Sequence, residues 1–226
     1  MIKFLPFVLI LLYGLAMWHF SAWRLKKELN ERSTELVEPK LQPVLRQLAQ
    51  ALDLPRIRVF VYEVDQINGL AAPDGRIFIT RGFLRKLQSD EVTASELASV
   101  IAHEMGHVAL GHSRRRMIDF SSQNALRVIL MTVIGRFIPI VGPWIANAVI
   151  ALLAARLSRK DEFEADAYAT ALLMKSGIGA EPQVTLFQKL DRLTGGRANG
   201  TPAWLLSHPK SPERIAAIRK NAGNWT

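Results

Sequence analysis

Apolar positions fall into distinct patterns along the chain. From Phe4 to Phe20 they form a nearly unbroken run, with Lys3 before it and Arg24, Lys26 and Lys27 after it. About 17 residues is the lower limit for spanning a bilayer, and Trp18 and Trp23 fall where headgroups would lie. As a secretory signal peptide the run lacks a good cleavage site. Ala22 has Phe20 two residues before it, and Gly14-Leu15-Ala16 lies inside the apolar stretch. The expectation is an uncleaved signal anchor over residues 1–30, with a single domain over 31–226. Apolar residues from about Glu35 to Leu52, interrupted by Pro39 and Pro43, are spaced for a helix. Beyond Pro55, Ile57–Tyr62 alternates as a strand does, Asn68–Gly75 carries a turn signal, and Arg76–Thr80 reads as a second strand. Two strands suit a small sheet beside a helical core, so the fold class is α+β and mainly helical.

Thr93 with Glu96 three residues later predicts a capping box. The helix it starts has Leu97, Val100, Ile101 and Val108 as its apolar stripe and ends at Arg114, Arg115 and Arg116. From Ala125 to Leu157 the chain is strongly apolar, broken by Arg136, Pro139, Gly142 and Pro143. Each arm, at about 14 residues, is too short to span. Basic residues close both ends, including Arg156, Arg159 and Lys160, which predicts a helical hairpin dipping into one leaflet. Helix resumes from Ser158 to Lys175 and stops at Gly177. Another follows Glu181-Pro182, residues 195–200 form a loop, and a last helix is capped by Ser211 with Pro212 in its first turn.

The capped helix carries the chemistry. It contains His103-Glu104-Met105-Gly106-His107, an H-E-x-x-H motif. Residues four apart on a helix share a face, so the two imidazoles can each give a nitrogen to one zinc ion, and Glu104 can act as general base on a water held there. Gly106 costs about 1 kcal/mol relative to alanine inside a helix, which close approach of another backbone at the metal would explain. His112 lies one residue past the turn and is expected at the surface, facing away from the metal. A catalytic zinc takes three protein ligands and keeps one position open. Downstream, Glu162 and Asp166 are four apart and share a face. Glu162 suits the third ligand, with Glu164 still open, and Asp166 could fix a histidine tautomer by accepting its far N–H.

Composition narrows the field. The chain has no cysteine, which excludes disulfides, thiolate ligands and a cysteine nucleophile. Net charge is +9, and mean hydropathy is +0.11. Such a surface suits nucleic acid or anionic lipid. Because the positive charge flanks apolar arms rather than aromatic platforms, lipid is the expected partner and nucleic acid is not.

These residues resemble the HtpX-like and CAAX-prenyl-endopeptidase family of membrane-associated zinc metallopeptidases, which includes the BepA-type periplasmic proteases. The match rests on His103–His107, on Glu162 and Asp166 as E-x-x-x-D, on His208-Pro209 followed by Arg214, and on Asn68-Gly69-Leu70-Ala71 leading into Gly75–Thr80, with Gly69 where alanine is commoner. The resemblance implies a compact gluzincin fold with one zinc per chain. It makes Glu162 the third ligand rather than Glu164, and its sheet offers Asn68, Gly69, Leu70 and Ala71 as an edge to an extended or unfolded protein substrate. It puts His208 near the metal, either steadying the oxyanion or filling the open position at rest. Arg214 either anchors that loop through a carboxylate or reaches a substrate carbonyl. The expected activity is zinc-dependent endoproteolysis of membrane or envelope proteins in quality control. The competing role is a membrane-bound chaperone or scaffold with a structural zinc. The resemblance leans to an extracytoplasmic catalytic domain, whereas the positive flank after the anchor points to the cytoplasm.

Overall fold

The computed structural model describes residues 5–112, 115, 142–193, 208 and 212–225. The chain divides into two compact units, Met1–Glu28 with Gly111–Asp161, and Leu29–Leu110 with Glu162–Thr226. The first contains most of helix α1 (Leu5–Glu31) and the N-terminal half of the helix Gly142–Lys175. Among the described residues, no helix is long and apolar enough to cross a membrane. The first arm of the expected hairpin, up to residue 141, lies outside the described residues, as do the loop at 195–200 and Ser211. The second arm runs without a break into the segment that carries Glu162.

After the last turn of α1, the second unit continues with strand β1 (Ser33–Glu35), and the helix expected from about Glu35 starts only after Pro39. The prolines explain the difference. Pro39 opens a 3-10 turn through Leu41, with the Glu38 carboxylate accepting from the Lys40 N–H, and Pro43 lies in the first turn of α2 (Gln42–Ala51). Proline has no N–H to lose at a helix start, so it marks an entry here rather than an interruption. Then come β2 (Val59–Tyr62), β3 (Gly69–Ala71) and β4 (Ile77–Thr80). The sheet has four strands in the order β1-β2-β4-β3, with β2 and β4 parallel and the two outer pairings antiparallel. Periodicity indicates only β2 and β4, because three residues are too few to show a period; the β3 edge was expected from resemblance alone, and β1 was not expected.

Every residue of β4 is buried, as befits a strand with neighbours on both sides. One face of the sheet packs on α2, α3 (Arg81–Gln88) and α4 (Ala94–Ala109) through a core that includes Leu48, Val61, Ile79, Phe83 and Ile101. Its other face holds a smaller cluster of Leu29, Ala72 and Phe78. Thr80 joins sheet to helix: its hydroxyl accepts from the Phe83 N–H at the start of α3 and bonds both the N–H and the carbonyl of Asn68.

Helix α4 starts as the sequence indicates. The Glu96 carboxylate accepts from the Thr93 N–H at 2.8 Å, and the Thr93 hydroxyl accepts from the Glu96 N–H at 3.2 Å. The helix stops at Ala109, short of the arginines, because the chain turns at Gly111 with φ +70°. That turn breaks the helical projection used to place His112, which is fully buried rather than at the surface, with Nε2 3.7 Å from Asp161 Oδ1. Helix α5 (Gly142–Lys175) ends at Gly177 as expected, and α6 (Glu181–Leu193) and α7 (Pro212–Gly223) complete the unit.

Glu96 also accepts from Thr185 Oγ1 and Lys189 Nζ on α6, both at 2.9 Å. Burial raises its pKa, but the Lys189 ammonium, the Thr93 amide and the Thr185 hydroxyl together hold it below the ordinary value. A carboxylate with a depressed folded pKa contributes stability above the unfolded pKa and loses it as pH falls through the folded value. Glu96→Gln is expected to cost about 2 kcal/mol near neutrality, with the deficit shrinking below about pH 4. Urea unfolding across pH checks both.

Candidate metal centre

Helix α4 places His103 and His107 one turn apart with their Nε2 atoms 3.1 Å from each other. Their shared face meets α5 at close range. A Cβ on Gly106 would lie 3.0 Å from both Cα and the carbonyl oxygen of Ala165, so only glycine lets the two backbones touch here. That contact brings Glu162, three residues before Ala165 in α5, against the histidines. Its Oε1 is 3.4 Å from His107 Nε2 and its Oε2 is 3.4 Å from His103 Nε2. His208 enters from the segment before α7, with Nδ1 3.2 Å from His103 Nε2 and 2.8 Å from Glu162 Oε2. All four side chains are buried, and their ligand atoms lie within 4.8 Å of one another.

This donor set fits zinc. With bonds of about 2.0–2.2 Å, neighbouring donors around a tetrahedral zinc stand roughly 3.3–3.6 Å apart. The two Glu162–histidine separations of 3.4 Å fall on that edge, those of 3.1 and 3.2 Å lie just under it, and only His208 to Glu162, at 2.8 Å, is clearly shorter. Glu104 Oε1 adds a second observation. It is buried and has no hydrogen-bond partner among the described residues, although His208 Nε2 is 3.4 Å away. A buried carboxylate oxygen aimed at a metal cradle calls for a proton donor such as water.

A second set of contacts orients the donors. His103 Nδ1 is 2.9 Å from Asp166 Oδ1. Arg214 on α7 grips Asp166 with two bonds, Nε to Oδ2 at 2.6 Å and Nη2 to Oδ1 at 2.8 Å, and its Nη1 is 3.2 Å from Glu162 Oε2. It is only 2 % exposed, and these bonds tie the two carboxylates together. Two further supports are visible only in the fold. Phe187 lies under the guanidinium at 4.8 Å, and Gln183 Nε2 bonds Asp166 while its Oε1 accepts from Thr170. Ordinary core residues on α6 and α5 carry these roles, and no motif distinguishes them.

Of the predicted edge residues, Gly69, Leu70 and Ala71 form β3 at the margin of the sheet, directly after Asn68. A Cβ on Gly69 would lie 2.7 Å from Val100 Cγ1 and 3.6 Å from Glu104 Oε1. Glycine therefore seats this edge against α4, beside the Glu104 carboxylate. Val100, foreseen as core, also sets that distance.

The charges are strongly coupled. Burial disfavours an imidazolium at His103, but the Asp166 and Glu162 carboxylates overcome it and raise its pKa to about 9. Burial lowers the pKa of His107. Burial works against ionised Glu162 and Asp166 too, yet the histidines around the first, and Arg214 and His103 beside the second, hold both well below the carboxylate range.

A buried cluster of two histidines from an H-E-x-x-H helix and a glutamate from α5, with a further histidine at hand, defines the site of a zinc peptidase. Residues 35–222 match Peptidase family M48, and the chain belongs to that family. It is 31% identical to "Metalloprotease LoiP" of Escherichia coli (strain K12) over 180 residues, 80% of this chain and 68% of that one. To "Metalloprotease YcaL" of the same organism it is 29% identical over the same shares. To "Protease HtpX" of Xanthomonas axonopodis pv. citri (strain 306) it is 28% identical over 247 residues, 91% of this chain and 83% of that one. The protein is a zinc metalloendopeptidase acting on peptide or protein substrates.

Loading a metal through His103 Nε2 requires the neutral ring, so below about pH 9 metal uptake displaces its proton. Zinc titration at pH 7 is expected to release about one proton per metal from this ring, and the release should fade as pH rises past 9. Calorimetry in two buffers of different ionisation enthalpy measures the number.

Proposed function

We propose that His103, His107 and Glu162 hold the zinc, that Glu104 is the general base, and that the substrate is an extended or unfolded segment of a membrane or envelope protein. The observation that carries the reading is the buried Glu104 Oε1, without a hydrogen-bond partner among the described residues, beside a donor set of zinc dimensions. Bound there, zinc supplies a Lewis acid that makes water nucleophilic near neutrality and polarises a peptide carbonyl. Glu104 takes the proton from the attacking water and hands it to the leaving amine. Asp166 holds His103 in the tautomer that offers Nε2, and Arg214 holds Asp166.

The substrate main chain adds to the outer edge of β3. In the antiparallel pair, Thr80 N–H bonds Asn68 C=O and Ala72 N–H bonds Arg76 C=O, so even-numbered residues turn their main chain to β4 and Gly69 turns its own outward. Binding by main-chain bonds selects extended segments over sequence, which suits quality control. His208 would either fill the open position at rest or steady the developing oxyanion. Its Nδ1 lies 2.8 Å from Glu162 and its Nε2 3.4 Å from Glu104, which supports a place beside the metal and the base.

Zinc content and casein cleavage, measured together, test the assignment. Glu104→Gln should keep its zinc and lose at least about two orders of magnitude in rate. Glu162→Ala should lose most of the metal, Asp166→Ala should bind it about 10–100-fold more weakly, and His208→Ala should keep it. Tight stoichiometric zinc in Glu162→Ala protein, or wild-type cleavage by Glu104→Gln, would overturn the scheme.

The apolar run from Phe4 to Phe20 and its basic flank support a membrane-held enzyme, with residues 1–30 as anchor and 31–226 as the peptidase domain, including the apolar stretch at 125–157. The full chain is expected to float with anionic liposomes. Replacing Arg114, Arg115 and Arg116 with glutamine should weaken flotation, because each cation gains about 1 kcal/mol at an anionic surface. Equal flotation of the two proteins would remove the arginines from this account.

A further inference from the structure

The last turn of α1 belongs to the peptidase unit. Leu29 is 1 % exposed, as buried as the central core, and clusters with Ala72 and Phe78 on the outer face of the sheet, where Phe60, Tyr62 and Leu70 complete the contact. Next to it, Asn30 Oδ1 accepts from Arg76 Nη1 at 2.8 Å. Arg76 belongs to the turn joining β3 to β4. Its carbonyl accepts from Ala72, and its Nε and main-chain N–H bond the Asp74 carboxylate. Leu29 and Asn30 therefore grip the β3–β4 hairpin at Ala72 and Arg76. The opposite face of the same three-residue strand rests on Val100, where glycine at 69 permits contact. An isolated strand of this length has little stability of its own and takes its position from what packs on its faces.

We infer that Leu29 and Asn30 are positioning residues for substrate binding, clamping the β3 edge against Val100 so that its outward main chain is set at a fixed height beside Glu104. This inference rests on the reading that substrate adds to β3. It gives the N-terminal segment a role besides attachment: the same helix that leads into the apolar run ends as part of the substrate-binding wall. A chain cut after Asn30 would retain every candidate metal donor and lose the outer half of the clamp.

The test uses the full chain loaded with zinc, with Leu29→Ala and Asn30→Ala compared against Leu48→Ala, a fully buried core residue of α2 that serves as the control for lost stability. Hydrogen exchange at Gly69–Ala71 reads the clamp without any substrate, and steady-state cleavage of a fluorogenic casein-derived peptide reads its effect. The expected result is exchange at β3 at least tenfold faster in Leu29→Ala than in Leu48→Ala. KM should rise at least fivefold, with zinc content and the pH profile of kcat unchanged. Asn30→Ala should shift both in the same direction by less. If β3 exchanges no faster in Leu29→Ala than in the control, the clamp does not exist. If β3 loosens but KM stays at the wild-type value, the strand does not bind substrate, and the positioning role falls together with the edge-binding reading.

Discussion

Asp166 is the residue on which the site hangs. Its carboxylate takes both prongs of the Arg214 fork and lies 2.9 Å from His103 Nδ1, so three elements meet at one buried group. Three buried carboxylates, Glu104, Glu162 and Asp166, surround this point. With its proton on, His103 adds a second positive charge to that of Arg214. A metal donor must be neutral, so a divalent cation would replace that proton and offset the carboxylates in its stead. Arg214 and the histidines keep Glu162 and Asp166 ionised. In this sense Arg214 is as much a part of the metal centre as the donors themselves.

Much of this was legible in the chain, and the reason differs for each part. The capping box and the H-E-x-x-H motif are local: both depend on helical spacing, and both stand where spacing put them. Glu162 and Asp166 were legible as a pair because four residues make one turn, but the choice of Glu162 over Glu164 came from resemblance. Gly106 announced a close approach without naming its partner, which is Ala165. Strand β1 was hidden because three residues hold too little pattern, and β3, equally short, was expected only through resemblance. His112 was misplaced because helical projection ends where Gly111 turns the chain. Gln183, Phe187 and Leu29 act through tertiary contacts alone, and nothing adjacent to them in sequence marks them out.

The sheet gives its two faces and its edge different duties. The inner face carries the main core, the outer face holds the end of α1, and the edge strand stands beside Glu104. Because β3 is short, it follows its neighbours, and Thr80 fixes where it begins through two bonds to Asn68. A small sheet of this kind is a positioning device first and a source of stability second.

His103 and His208 stand 3.2 Å apart in space and 105 residues apart in sequence. A chain without cysteine has no disulfide with which to staple so long a loop. An ion held as proposed by His103, His107 and Glu162 would tie α4 to α5 instead, and closing that loop would be worth on the order of 4 kcal/mol in the chain-entropy account of cross-links. Chelation would then remove a staple as well as a reagent. The stripped protein would open more often and expose extended segments of its own chain to proteolysis.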